Sequence, residues 1–218
     1  MPKNIEIAYI KCENLQQNSL KAYENADAVL VIAKNFSSLC IKDELSGKSD
    51  KLIMLGRITK NIKGLTFVSL MSDNYGIMHQ SVAVFMGGKL IKLADLNKSY
   101  SRAIVPSFGV KMATYNQIKY GIAVGKDVTD FNTLSTLNLC ENDVIINLSA
   151  DFYDFSCEKL ISSLSYLFGT TILSLNTDKM VVATQGHILL DTDKPQGKLK
   201  IQLNKNYREI ITKGRGLI

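Results

Sequence analysis

The sequence predicts an α/β protein in which mixed β-sheets are layered with helices. Strand-like and helix-like hydrophobic periods alternate along much of the chain, which is typical of βα units. Other strands are separated only by turns, as in residues 79–93 around Gly87 and Gly88, and these predict antiparallel hairpins. Residues 28–32 are continuously apolar, the pattern of a strand covered on both faces. These observations together predict two sheets packed against each other.

The length and composition of the chain predict a single compact domain. The chain has 218 residues, of which 46% are hydrophobic, and it contains only three prolines. This apolar content is enough for a substantial core, and no segment has the composition of a disordered linker. We expect one domain over residues 1–218, with a core from about residue 4 to residue 204 and a basic tail over 205–218.

The charge, the hydrophobicity and the cysteines argue against a nucleic-acid-binding, membrane-spanning or zinc-binding protein. The formal net charge is +6, but the lysines are scattered and form no basic helix or stripe, so a nucleic-acid-binding module is the third and least favoured hypothesis. No apolar segment approaches the ~18 residues of a membrane span, so no membrane partner is expected. The four cysteines lie far apart without zinc-ligand spacing. We therefore expect a cytoplasmic protein with reduced thiols and without a metal or cofactor.

The amino-terminal half is predicted to combine strands, helices and a hairpin. Alternating residues predict a strand at 5–10, and a short helix at 18–26 leads to the apolar strand at 28–32. Apolar residues at helical spacing predict a helix at 50–62, and Gly64 fits its end. The remaining elements are a strand at 65–70, a turn at 72–76, hairpin strands at 79–86 and 89–93, and a loop at 95–107.

The carboxyl-terminal half is predicted to add a strand pair, two βα units and a closing meander. Residues 157–168 have the clearest helical pattern, because their leucines and Ile161 recur on one face, and Gly169 fits the helix end. The other predicted elements are strands at 110–114, 117–124, 143–148 and 170–175, a helix at 130–139, and meander strands at 180–184, 186–191 and 198–203.

The chain is organised around residues 119–127, which have the pattern of a buried strand that ends in a sharp turn at Gly125. In an α/β enzyme, a turn of this kind is where a nucleophile is expected. Here the position holds a glycine. The strand at 28–32 ends similarly, at Lys34 and Phe36, and such carboxyl-terminal edges carry the ligand sites of open α/β sheets.

Five stretches of the chain follow, in order, the motifs of one known family. They are residues 26–32 (a strand leading to a catalytic residue), 79–93 (an Asn-Ser strand and glycine turn), 120–127 (a nucleophile strand), 143–150 (a serine-alanine turn) and 186–191 (a late Gly-x-Ser hairpin). They resemble the nitrilase superfamily of carbon–nitrogen hydrolases. The resemblance implies a single domain with a nitrilase-like αββα sandwich of two mixed β-sheets flanked by helices.

The family's chemistry uses a cysteine thiolate as nucleophile, a glutamate as general base and a lysine that stabilises the oxyanion. Carried over by position, the glutamate falls at Lys34, the lysine at Leu96 and the cysteine at Gly125. None of the three residues suits its role, and the resemblance therefore implies that the Glu-Lys-Cys triad is not retained. Of the residue pattern that follows the family's cysteine, Asp127 survives.

The candidate ligand-binding residues are Lys34, Gly125, Lys126 and Asp127, and each has a second interpretation. Gly125 either gives a ligand room to approach the backbone or provides a turn with positive φ, the interpretation we favour. Lys34 either binds an anion in the cleft or is a solvated lysine at a strand end. Asp127 either pairs with Lys34 or Lys126, or caps a turn, and the structural role is favoured.

Three hypotheses about function remain open at this stage. The leading one is a nitrilase-like protein that has lost amide and nitrile hydrolysis and binds a small molecule or a partner, with a homodimer implied by the family's association through surface helices. The alternative is an active carbon–nitrogen hydrolase with a displaced nucleophile. Cys157 is then the best candidate, because it precedes the predicted helix and a helix N-terminus lowers a thiol pKa, although a buried apolar role is commoner. The third is the nucleic-acid module.

Overall fold

The computed structural model describes residues 3–36, 39–40, 50–74, 77–95, 111–149 and 158–203. Within them, two β-sheets lie face to face, and helices cover their outer surfaces. The predicted loop at 95–107, Leu96, Cys157 and the basic tail lie outside these residues, except for Asp95 itself.

The first sheet has seven strands in the order β13-β1-β2-β4-β5-β6, with β3 beside the end of β4. Strands β1, β2 and β4 are parallel, and the hairpin β4–β5–β6 continues antiparallel. Its strands are β1 (Lys3–Cys12), β2 (Ala28–Ala33), β3 (Leu39–Cys40), β4 (Leu65–Asn74), β5 (Ile77–Met86), β6 (Lys89–Asp95) and β13 (Gln196–Leu203).

The second sheet has six strands in the order β12-β11-β10-β9-β8-β7. Strands β8, β9 and β10 are parallel, and the strands outside them on both sides are antiparallel. Its strands are β7 (Met112–Tyr115), β8 (Ile118–Val124), β9 (Val144–Leu148), β10 (Thr171–Leu175), β11 (Met180–Thr184) and β12 (His187–Thr192).

The helices lie on the outer faces. Helix α1 (Asp50–Thr59) covers the first sheet, and α2 (Phe131–Leu139) and α3 (Glu158–Phe168) cover the second. Asp130 caps the start of α2, because its carboxylate accepts a hydrogen bond from the backbone N–H of Thr133 at 3.0 Å. Among the described residues, none of the helices has both the length and the apolar composition that crossing a membrane requires.

The largest apolar cluster fills the space between the two sheets. Strands from both sheets contribute alternate residues to it, such as Phe67 from β4 and Tyr120 from β8, whose rings lie 5.8 Å apart. Two further clusters fill the outer layers under α1 and under the pair α2 and α3. The central strands β2, β9 and β10 are buried on both faces, which explains their continuously apolar sequences.

Most of the predicted elements are confirmed within one to three residues, and two are wrong. The short helix predicted at 18–26 is a 3-10 helix over Gln17–Tyr23. Strand β4 continues through Ser72 to Asn74, where a turn was predicted. The last predicted meander strand leaves its hairpin partner: β13 crosses to the first sheet and pairs with β1, from Lys3 opposite Leu203 to Ile10 opposite Gln196.

Candidate functional site

The carboxyl ends of the parallel strands in both sheets meet at one end of the sandwich. At this end Lys11, near the end of β1, donates hydrogen bonds to the carbonyl oxygens of Asp178, just after β10, and of Asp193. Gln80 of β5 pairs with Met71 near the end of β4 and reaches across to Gly125, which follows β8. The Gly125 turn therefore lies between the two sheets, at the edge where open α/β sheets bind ligands.

The turn at Gly125 starts a short 3-10 helix, Gly125–Thr129. Gly125 has φ of +52°, a conformation that costs other residues energy, so the predicted need for a positive-φ glycine is confirmed. A Cβ on Gly125 would lie 2.7 Å from Oε1 and 2.9 Å from Nε2 of Gln80, closer than real Cβ contacts. The carboxamide of Gln80 thus fills the space that a side chain at position 125 would enter.

Gln80 is inward-facing and almost completely buried. It lies on the same face of β5 as Val82 and Val84, which belong to the core between the sheets. Only 2% of Gln80 is exposed, and its Nε2 has no hydrogen-bond partner among the described residues. A buried amide without a partner costs stability, and such groups in native proteins usually meet water or a ligand.

Ser149 is a second buried polar group beside the turn. Val124 pairs with Leu148, so the residues that follow them, Gly125 and Ser149, leave the sheet side by side. The backbone N–H of Ser149 donates to the carbonyl oxygen of Leu175 at 3.0 Å. Its side chain is buried, and its hydroxyl has no partner within the described part of the chain.

Charged groups lie on the other side of the turn. Asp127 is fully buried, and its Oδ2 accepts a long hydrogen bond of 3.4 Å from the backbone N–H of Val124. Lys111, just before β7, is also buried. Burial lowers the pKa of Lys111, an effect that the negative charges of Asp127 and Asp95 oppose and that Lys92 reinforces. Lys111, which the sequence did not single out, is therefore a buried lysine within electrostatic reach of Asp127 and Asp95.

The predicted ligand-binding residues come together only in part. Gly125 and Asp127 share one buried turn, and Lys126 between them is half-buried. Lys34 points to the surface: its ammonium forms an ion pair of 2.6 Å with Glu13, and 67% of its side chain is exposed. This geometry matches the second interpretation of Lys34, a solvated lysine at a strand end.

The described thiols are poor candidates for a nucleophile. Burial raises the pKa of Cys12, and the charge of Glu13 raises it further, so the reactive thiolate is disfavoured. Cys140 ends α2 and is half-buried. The fallback nucleophile Cys157 lies outside the described residues, as does Leu96 at the position of the family's lysine.

The fold is shared with solved enzymes of low sequence identity. No family model matches the chain, and no curated protein matches its sequence. Nit3 of Saccharomyces cerevisiae, described as a member of branch 10 of the nitrilase superfamily, superimposes with a TM-score of 0.76 at 11% identity, over 99% of this chain and 95% of Nit3.

Two further solved structures agree. An amidase from Nesterenkonia sp. has a TM-score of 0.73 at 14% identity, over 98% of this chain and 96% of the amidase. A carbon-nitrogen hydrolase from Helicobacter pylori G27 has a TM-score of 0.74 at 12% identity, over 98% and 93%. The chain has the nitrilase-superfamily fold. Identities this low establish the architecture, and the activity has to be argued from the site.

The nitrilase-fold core of this chain brings in residues that sequence reasoning missed. Gln80 lies in the strand that resembles the family's Asn-Ser strand. It could have been identified from the sequence as a polar residue at a position that alternates with the inward-facing Val82 and Val84. Ser149 belongs to the predicted serine-alanine turn of residues 143–150, but no role at the site was predicted for it. Nothing in the sequence indicated that Lys111 is buried, because the burial of a lysine at the start of a strand depends on the tertiary structure around it.

Proposed function

We propose that this nitrilase-fold protein does not hydrolyse amides or nitriles, and that the turn at Gly125 binds a small ligand or a partner without covalent chemistry. The observation that carries the proposal is the contact between Gln80 and Gly125. A carboxamide fills the space of a side chain at position 125, and Gly125 itself offers no thiol or hydroxyl.

Acyl transfer needs three groups close together: a nucleophile, a base that takes its proton, and donors for the oxyanion. At the turn, the described polar groups are a carboxamide, a hydroxyl, a buried carboxylate and a buried ammonium, from Gln80, Ser149, Asp127 and Lys111. The carboxylate of Asp127 lies within electrostatic reach of Lys111. This set suits hydrogen bonding to a ligand better than it suits attack on an amide carbon.

Ammonia release from a panel of aliphatic amides and nitriles tests the loss of hydrolysis. We expect no release above the rate without protein. Release that disappears in Cys157→Ser, and persists in Cys12→Ser and Cys140→Ser, would instead establish the alternative function, a carbon–nitrogen hydrolase with a displaced cysteine.

Amide NMR shifts test ligand binding at the turn with the same panel of compounds. We expect compounds that bind to shift the backbone signals of Gly125 and Asp127, and Gln80→Met to remove those shifts because it replaces the carboxamide with an apolar side chain of similar length. Lys34→Met is the matched control: it removes an exposed charge from a strand end and should leave the shifts unchanged. Shifts that depend on Lys34 and not on Gln80 would place the ligand elsewhere.

We also propose that the protein forms a homodimer through the surface of α2 and α3. The two helices pack together through Phe131 and Phe168, whose rings lie 5.5 Å apart, and they leave large apolar side chains exposed. These are Phe131 at 59%, Leu139 at 82%, Tyr166 at 60% and Leu167 at 38%. Sedimentation velocity should show a dimer that Leu139→Ser with Tyr166→Ser dissociates. Leu90→Ser with Ile91→Ser, on the first sheet, should leave the dimer intact.

A further inference from the structure

Helix α1 lies directly against the turn between β5 and β6. A Cβ on Gly56 would lie 2.5 Å from the carbonyl oxygen of Gly88, and a Cβ on Gly88 would lie 2.6 Å from the carbonyl oxygen of Gly56. Only glycine at both positions allows this approach of helix and turn. The contact joins α1 and the β5–β6 hairpin into one surface, which we call the α1–hairpin face.

The α1–hairpin face exposes large aliphatic side chains. Ile53 of α1 is 41% exposed, and on β6, just after the turn, Leu90 and Ile91 are exposed by 41% and 42%. The turn projects from the molecule, because a Cβ on Gly87 would meet no atom within 4 Å. The apolar side chains of β6 therefore lie beside an exposed turn, on the edge strand of the first sheet.

The two segments that form the α1–hairpin face are basic. Residues 50–63 contain four Lys or Arg and one Asp, and residues 86–95 contain two Lys and one Asp, so the two segments carry +4 of the total +6. Arg57, Lys60 and Lys89 are exposed, and none of them forms an ion pair with any described residue. Their charges are available to an anionic partner.

We propose that the α1–hairpin face docks on an anionic lipid surface. Aliphatic side chains near a projecting turn enter the boundary between headgroups and acyl chains, while lysine and arginine beside them contact anionic headgroups. The expectation of no membrane partner rested on the absence of a spanning segment, and a surface contact requires none. A nucleic acid would use the charges but would leave the aliphatic side chains in water.

Co-sedimentation with vesicles tests this docking with the full-length chain. Vesicles of pure phosphatidylcholine are compared with vesicles that contain about one-third phosphatidylglycerol, and we expect at least about tenfold tighter binding to the anionic ones, weakening as salt rises. Leu90→Ser with Ile91→Ser should weaken binding at least about fivefold because the apolar contact is lost. Lys60→Glu with Lys89→Glu should weaken it similarly.

Control variants are available away from the α1–hairpin face. Ile188 and Leu189 on β12 are 40% and 48% exposed, so Ile188→Ser with Leu189→Ser removes the same residue types at similar exposure. Lys194→Glu with Lys200→Glu is the charge control: both lysines are exposed, neither forms an ion pair with a described residue, and they lie just before and within β13, at the opposite edge of the first sheet. Both controls should bind like the unchanged chain. Equal effects in control and test variants, or binding that survives all four because the basic tail carries it, would overturn the proposal. Loss of self-association in the Leu90 and Ile91 variant would overturn it too, in favour of a second copy as occupant.

Discussion

Oε1 of Gln80 lies 2.7 Å from the point where a Cβ on Gly125 would stand. Gln80 lies in a strand of the first sheet, and Gly125 directly follows a strand of the second. Each residue occupies space that a different residue at the other position would need. The absence of a side chain at position 125 makes room for the carboxamide, and a side chain there would require the carboxamide to move. A nucleophile introduced at position 125 would therefore have to displace Gln80.

Gly125→Ala should destabilise the protein by about 2–4 kcal/mol. About 1–2 kcal/mol comes from the positive φ, and the remainder from displacing Gln80 in a packed core. In a Gln80→Ala background, the same change should cost only the conformational part. Urea unfolding of the four proteins of this double-mutant cycle gives the coupling free energy, which we expect to be at least about 1 kcal/mol.

Strict additivity in that cycle would contradict the contact, since residues that do not compete for space have independent effects. Gly87→Ala is a useful control. Gly87 also has a positive φ, of +55°, but a Cβ there meets no atom within 4 Å. Its cost should therefore be conformational only and unaffected by Gln80→Ala.

Lys111 and Asp127 should depend on each other for stability. Both are buried, and removing one charge leaves the other in a medium of low dielectric without its partner. We expect Asp127→Asn and Lys111→Met each to cost about 3–5 kcal/mol, and the double variant to cost clearly less than the sum. Denaturant unfolding measures all three. If Lys111→Met costs nothing, the buried ammonium does not compensate Asp127.

The elements of this fold were predictable where hydrophobic period alone determines them. The continuous apolar run of β2 indicates a strand that is buried on both faces. The apolar residues of α3 recur at helical spacing, which indicates a helix with one buried face. The destination of β13 was not predictable. Its alternating residues fit the edge of either sheet, and the pairing with β1 is decided by the chain path after β12.

The candidate site was likewise predictable only in part. The glycine turn was evident from residues 119–127, where the family resemblance predicts a lost cysteine. The side chain that packs against Gly125 was not evident, because Gln80 lies 45 positions away in the other sheet and only the packing of the two sheets brings it there. The sequence left Lys34 open between an anion site in the cleft and a solvated strand end, and its exposed ion pair with Glu13 matches the second interpretation.

Tyr120 should make the protein sensitive to alkaline pH. Burial raises the pKa of its phenol above the ordinary value of 10.0, and the charges of Asp27, Asp143 and Tyr115 raise it further. Between the unfolded and the folded pKa, the native state holds a proton that the unfolded state has lost, so stability falls as the pH rises above 10. We expect Tyr120→Phe to reduce this fall, as measured by urea midpoints from about pH 8 to pH 11.

At neutral pH, Tyr120→Phe should be neutral or stabilising by up to about 2 kcal/mol, because the hydroxyl is buried without a hydrogen-bond partner among the described residues. The ring contact with Phe67 is kept. Tyr166→Phe is the control, since Tyr166 is 60% exposed. A loss of stability in Tyr120→Phe would mean that the hydroxyl has a partner, such as an ordered water.

Lys11 should hold the two sheets together at the end that carries the candidate site. Its ammonium donates to the carbonyl oxygens of Asp178 and Asp193, and the latter bond is 2.9 Å long. Its backbone N–H donates to Pro195 at 2.6 Å, so the connection that carries the chain from β12 to β13 is tied to β1 twice. Burial lowers the pKa of Lys11, while Asp178 and Asp193 counteract it.

Lys11→Met should lower the free energy of unfolding by about 1–3 kcal/mol, because it removes charge-assisted hydrogen bonds and keeps the aliphatic stem. It should also speed proteolysis in residues 193–196, since one of two ties to that connection is lost. Lys3→Met, at the other end of the same strand, is the matched control and should change neither quantity. Equal proteolysis rates in the two variants would show that the backbone bond to Pro195 and the β1–β13 pairing suffice to hold the crossing strand.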